Sequence, residues 1–106
     1  MASTEAFVLY VCEQIREVGY IRYRKMFGSY MVYVNDKPIL LVCDDVVFVK
    51  MLPEIETLMH DAEIGKPYNG AKDHYILDID DGDLAVNVIT ILEPITAVPR
   101  PKKKKI

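Results

Sequence analysis

The stretch Arg22-Tyr23-Arg24-Lys25-Met26-Phe27-Gly28-Ser29-Tyr30-Met31-Val32-Tyr33 decides the fold of this 106-residue chain, because strand-like alternation runs on both sides of a glycine. Alternate residues of a strand point to opposite faces. Ile21 and Tyr23 therefore share one face and Arg22 and Arg24 the other; beyond Gly28, Tyr30, Val32 and Val34 alternate with Met31 and Tyr33. β-Branched and aromatic residues suit a half-buried pleated surface. The stretch reads as two antiparallel strands, over residues 20–26 and 29–35, with Gly28 supplying a turn because it takes positive φ without a Cβ clash.

Toward the N-terminus, Phe7, Val11, Ile15 and Val18 recur at helical spacing, with Val8 and Cys12 beside them, which predicts a helix over 4–18. Ser3 or Thr4 is its cap and Gly19 its stop. Toward the C-terminus, Asn35-Asp36-Lys37-Pro38 is a turn into the apolar run Ile39-Leu40-Leu41-Val42-Cys43, and Asp44-Asp45 turns that run into Val46-Val47-Phe48-Val49-Lys50. Short turns between successive strands make a meander. Pro53, Glu54 and Glu56, with the apolar set Ile55, Leu58, Met59 and Ala62, predict a short helix over 53–62. Asn69-Gly70 is a turn signal, His74 to Ile79 a fifth strand, and Leu84, Val88, Ile91, Leu92 and Ile95 the apolar face of a last helix that Pro94 ends or kinks. The order helix, four strands, helix, strand, helix predicts an α+β two-layer sandwich, an antiparallel sheet with helices on one face.

Length allows one domain, taken as residues 1–98, with a core of its own. The longest apolar run, Ala6 to Cys12, falls well short of the roughly 20 residues of a membrane helix, and no export signal opens the chain, so the expectation is a cytoplasmic protein without a membrane partner. Cys12 and Cys43, each among apolar neighbours, read as free buried thiols. The net charge of −3 hides a division. Arg100, Lys102, Lys103, Lys104 and Lys105 form a basic tail over 99–106, expected to be disordered and to bind polyanions non-specifically, while the body carries 8 basic against 16 acidic side chains.

The run Tyr23-Arg24-Lys25-Met26-Phe27-Gly28, followed by Tyr30, Tyr33, Asp36-Lys37, Asp45 and Phe48-Val49-Lys50, resembles the N-terminal domain of the TfoX (Sxy) competence regulators from the first helix to about residue 80. That family usually continues with a second glycine and a Tyr-Gly, where this chain has Ser29 and Met31. The resemblance implies the same α+β fold and a role in bacterial transcription regulation, in the best-known case as a co-regulator of DNA-uptake competence genes that works with the cyclic-AMP receptor protein. It implies no catalytic or cofactor residues. Two-domain members carry a helical C-terminal domain, so this chain reads as a stand-alone module.

The residues themselves point away from catalysis. A calcium loop begun at Asp78 needs glycine at its sixth place and glutamate at its twelfth, where the chain has Asp83 and Ile89; Asp80, Asp81 and Asp83 suit the N-terminus of the last helix instead. His60 and His74 are not at metal-site spacing. Cys43, which ends an apolar strand and precedes two aspartates, lacks the electropositive setting of a nucleophile. The candidate interaction face is Arg22, Arg24, Lys25, Phe27, Gly28 and Tyr30, with Arg16 and Tyr33 nearby. Protein interaction is the expected function, with another protein or a second copy as partner and no cofactor. Direct nucleic-acid binding by cations beside aromatic rings is the alternative.

Overall fold

A computed structural model describes residues 4–99; the basic tail expected at Arg100 and Lys102 to Lys105 lies outside them. Strands β1 (Ile21–Met26), β2 (Ser29–Val34), β3 (Lys37–Cys43) and β4 (Val46–Lys50) form the expected antiparallel meander. Each of its three connections is two residues long, and all six turn residues have positive φ: Phe27 at 50° and Gly28 at 82°, Asn35 at 52° and Asp36 at 67°, Asp44 at 51° and Asp45 at 58°. Paired positive φ marks the type I′ hairpin, whose twist matches that of the strands it joins. Asn and Asp enter this region more readily than other non-glycine residues, which is why the second and third turns fall where they do.

The turns fix register, and register fixes which side chains meet. Met26 opposes Ser29, Lys25 opposes Tyr30, Arg24 opposes Met31 and Arg22 opposes Tyr33. On the face toward the helices, Tyr30, Val32 and Val34 of β2 pack with Leu40 and Val42 of β3 and with Val47 and Val49 of β4, all buried. A bulge between Val32 and Tyr33 leaves Ile39 without an opposite residue, beside Pro38, which lacks an N–H for the ladder.

Helix α1 (Glu5–Gln14) buries Val8 and Val11 against this face. Thr4 caps it by accepting from the Phe7 N–H at 3.3 Å, and its own N–H donates to Asp45 at 2.9 Å, tying the cap to the β3–β4 turn. The expected single helix over 4–18 breaks at Ile15, where φ leaves the helical range, and finishes as a tight 3₁₀ turn over Arg16–Val18. Helix α2 (Gly82–Leu92) buries Ala85, Val88, Ile89 and Leu92; Asp81 caps it by accepting from the Leu84 N–H, the role the sequence assigns to this acidic run. Pro94, unable to donate to the helix ladder, falls in a 3₁₀ turn over Glu93–Ile95.

The helix expected over 53–62 is corrected. Pro53–Ile55 is a 3₁₀ turn and the chain continues in turns to Asp61, with bonds such as Ala62 N–H to the Met59 carbonyl, three residues back. Ile55 and Met59 are the residues of this segment fully buried in the core, while Ala62 packs at its margin half-buried and Leu58 stays on the surface. Two anchors do not offset the entropy of starting a helix this short. The chain is instead drawn to the sheet margin, where Ile64–Gly65 forms a strand absent from the sequence reading, β5, paired with β6 (His74–Leu77). The fold is thus α+β, two helices and a six-stranded antiparallel sheet in the order β1-β2-β3-β4-β6-β5.

The sheet and the helical layer are joined at the β2–β3 end through Asn35. Its side chain accepts from the Tyr20 N–H at 2.9 Å and donates to Glu93 at 3.3 Å, while Lys37 donates to the Glu93 carboxylate at 2.9 Å and to its main-chain carbonyl at 2.8 Å. Gly19 lies so close to this amide that a Cβ would sit 2.7 Å from it. The bond from Lys37, then that from Asn35, holds the Glu93 carboxyl below its ordinary pKa. A carboxyl lowered in the folded state stabilises it above the unfolded pKa and loses that contribution as pH falls through the folded one. The Glu93→Gln variant is expected to be less stable than the parent at pH 7, with the gap closing below about pH 4; urea melts at pH 7 and 3.5 check this, and an unchanged gap would refute the linkage.

Candidate interaction site on the first hairpin

The register divides the residues that the sequence places together. Arg22, Arg24 and Met26 of β1 lie on the sheet face away from the helices, whereas Ile21, Tyr23 and Lys25 lie on the helix side. Tyr30, expected on the candidate face, is in the core, its ring edge-on to Tyr23 with centroids 5.7 Å apart. One residue of register parity accounts for this correction: Tyr30 shares its face with Val32 and Val34.

Arg22 is committed elsewhere. Its Nε donates to Asp36 at 2.9 Å and its guanidinium lies 4.3 Å from the centre of the Tyr33 ring, so it braces the β2–β3 turn against β1. Arg16 is near Glu13 at 3.7 Å, and Tyr23 donates to Glu5, a bond that raises the phenol's pKa. Among the described residues, no carboxylate lies within ion-pair distance of Arg24 or Lys25.

At the hairpin tip, Phe27 occupies the first position of the I′ turn with φ 50°, and its side chain is fully exposed. A bulky side chain in this region costs about 1–2 kcal/mol, and a solvated Phe ring recovers none of it by burial. Gly28 takes the second position, where its φ of 82° carries no such cost. Beside the tip a cleft of about 540 Å³ opens on the helix-free face, with Met26, Phe27, Met31, Leu41, Cys43 and Tyr68 in its walls. The sequence reading missed this cleft, since its far wall, Tyr68, comes from the loop after β5.

The other chemical candidates are held in structural roles. His74 packs edge-on to Phe48 and its Nδ1 meets the Lys72 carbonyl at 2.8 Å, while His60 lies beside Asp61 on the surface. Cys12 and Cys43 are free thiols, Cys43 buried as expected and Cys12 only half-buried, where its partial burial raises its pKa. Asp80 accepts from the Tyr10 hydroxyl and Asp78 from the Asp80 N–H. No helix among the described residues is long and apolar enough to cross a membrane.

Residues 13–81 match the TfoX N-terminal domain. This chain belongs to the TfoX N-terminal domain family. The matched span of the domain starts within α1 and reaches Asp81 at the cap of α2, so it takes in the whole sheet and the hairpin. A Spirochaeta aurantia protein named "Uncharacterized 12.7 kDa protein in trpE 5'region" is 27% identical over 107 residues, covering 99% of this chain and 93% of that protein.

The two arginines of β1 separate under mutation. Arg22→Glu gives up the Tyr33 stack and the Asp36 pair and is expected to cost about 1–2 kcal/mol, whereas Arg24→Glu is expected to stay within about 0.5 kcal/mol of the parent. Denaturant melts of both variants test the division; equal losses would mean that Arg24 also has a structural role.

Proposed function

We propose that this chain is a small non-enzymatic regulatory module that works by binding another protein through the β1–β2 hairpin. The observation that carries the reading is Phe27, an aromatic residue at a turn position that disfavours it and wholly in solvent. Strain that neither packing nor hydrogen bonding explains concentrates at functional sites. Exposed aromatic residues are also the usual anchors of protein interfaces. Arg24 and Lys25 beside it and the apolar cleft behind it give the tip a mixed surface, charged at the rim and apolar at the centre, the arrangement protein interfaces share.

Family membership supports regulation as the setting, with the transcription machinery or a transcription regulator as the class of partner. Nucleic acid is the weaker reading. Binding of single strands uses aromatic platforms beside a run of cations, but Tyr30 is buried, Arg22 covers Tyr33, and Arg24 and Lys25 lie on opposite faces of their strand.

The test is Phe27→Asn. Asparagine suits the first I′ position, so this variant is expected to be more stable than the parent by about 1 kcal/mol while losing its partner. Thermal melts read the first effect, and quantitative affinity capture from cells of the source organism reads the second. Higher stability with undiminished capture would show that Phe27 has no part in recognition.

A further inference from the structure

Strand β1 is an open edge of the sheet, pairing with β2 alone, and it is the long edge, since the opposite one is the two-residue β5. In an I′ hairpin the residues that flank the loop form a hydrogen-bonded pair, and bonded and non-bonded pairs alternate from there. The main-chain groups of Met26, Arg24 and Arg22 thus face β2, and those of Lys25, Tyr23 and Ile21 point outward. Among the described residues, no side chain or loop bonds to these outward groups. Such an edge is a template for one more strand.

We propose that β1 takes up an acidic, extended segment of a partner protein as a seventh, antiparallel strand; this rests on the reading of the hairpin as a protein-binding surface. Charge selects the occupant. Residues 4–99 carry 16 acidic and 8 basic side chains, yet two of the basic ones, Arg24 and Lys25, stand adjacent on this edge with no ion pair among the described residues. Consecutive residues of a strand face opposite ways, so Arg24 projects on the open face and Lys25 on the helix side. A strand laid along β1 meets both when it carries two consecutive carboxylates, one for each face, at the short side-chain spacing of directly opposed pairs.

Arg24 also disfavours a second copy at this edge. A two-fold antiparallel pairing of β1 with itself must match residues on the same face, and the two such registers of greatest overlap set Arg22 opposite Arg24 or Arg24 opposite its own copy. Like charges directly opposite are destabilising. The edge favours an acidic strand over its own copy.

The experiment is a titration of the ¹⁵N-labelled full chain with two capped heptapeptides of threonine and valine, one with a central pair of glutamates and the other with lysines there. Amide exchange is read on the bound chain. The expected result is binding of the acidic peptide at least tenfold tighter than the basic one, with exchange at Ile21, Tyr23 and Lys25 slowed at least tenfold. A doubly reversed chain, Arg24→Glu with Lys25→Glu, is expected to invert the preference. Equal binding of the two peptides, or no protection of the three amides, overturns strand addition. Shifts confined to Met31, Leu41 and Tyr68 overturn it as well, but leave protein binding at the hairpin standing. A thymidine oligonucleotide that binds through Arg24 without protecting the amides overturns it in favour of nucleic acid. Failure of the hairpin reading itself shows elsewhere, as partner capture indifferent to Phe27→Asn.

Discussion

Three consecutive two-residue turns, each with both residues at positive φ, are the constraint on which this structure depends. A tight hairpin leaves no slack in register, because one residue of slip would exchange the two faces of a strand. With Phe27-Gly28, Asn35-Asp36 and Asp44-Asp45 in place, β1 to β4 have one pairing, and the buried set of Tyr30, Val32, Val34, Leu40, Val42, Val47 and Val49 falls on a single face. The helices have that face to cover. Main-chain geometry at six residues thereby decides where the core is.

The turns do more than reverse the chain. Asp45 accepts from the main chain of Thr4 at the start of α1, and Asn35 bridges Tyr20 and Glu93, so two of the three hold the helical layer at opposite ends of the sheet. The first turn has no such duty. Among the described residues Phe27 has no hydrogen bond or ring contact of its side chain, and the same hairpin carries the cations Arg24 and Lys25. Two turns obey local preference and serve the fold; the third departs from preference where the fold gains nothing. The face away from the helices is only partly covered, with Tyr68 over one side of the cleft and Met26, Met31 and Leu41 half-buried in its walls.

Much of this was legible in the residue order. Alternation in Tyr30 to Val34 and in Val46 to Val49, helical spacing in Val8, Val11 and Ile15, and Asn and Asp at two turns are local signals, and each element stands close to its expected place. The segment after Pro53 was not legible, because a 3₁₀ turn carrying Ile55 and Met59 shares its residue types and spacing with a short helix. β5 was hidden for a related reason: two residues cannot show a period, and Ile64–Gly65 is a strand only because β6 lies beside it. The candidate site was half visible. Arg24, Lys25, Phe27 and Gly28 belong to the exposed hairpin; Tyr30 and Arg22 have other commitments, in the core and against Tyr33 and Asp36.

The sequence by itself determined the meander, the first and last helices, a capping residue at Ser3 or Thr4, an acidic start for the last helix, and the acidic body with a basic patch on its first strand, since these depend on neighbours within a few positions. Only the tertiary structure decided which face of β1 meets the helices, which cations are without an ion pair among the described residues, and that the loop bearing Tyr68 walls a cleft beside Phe27. Side-chain direction along a strand is known modulo two from sequence. The choice between the two faces is made by what packs on one of them, and that packing joins residues far apart in the chain.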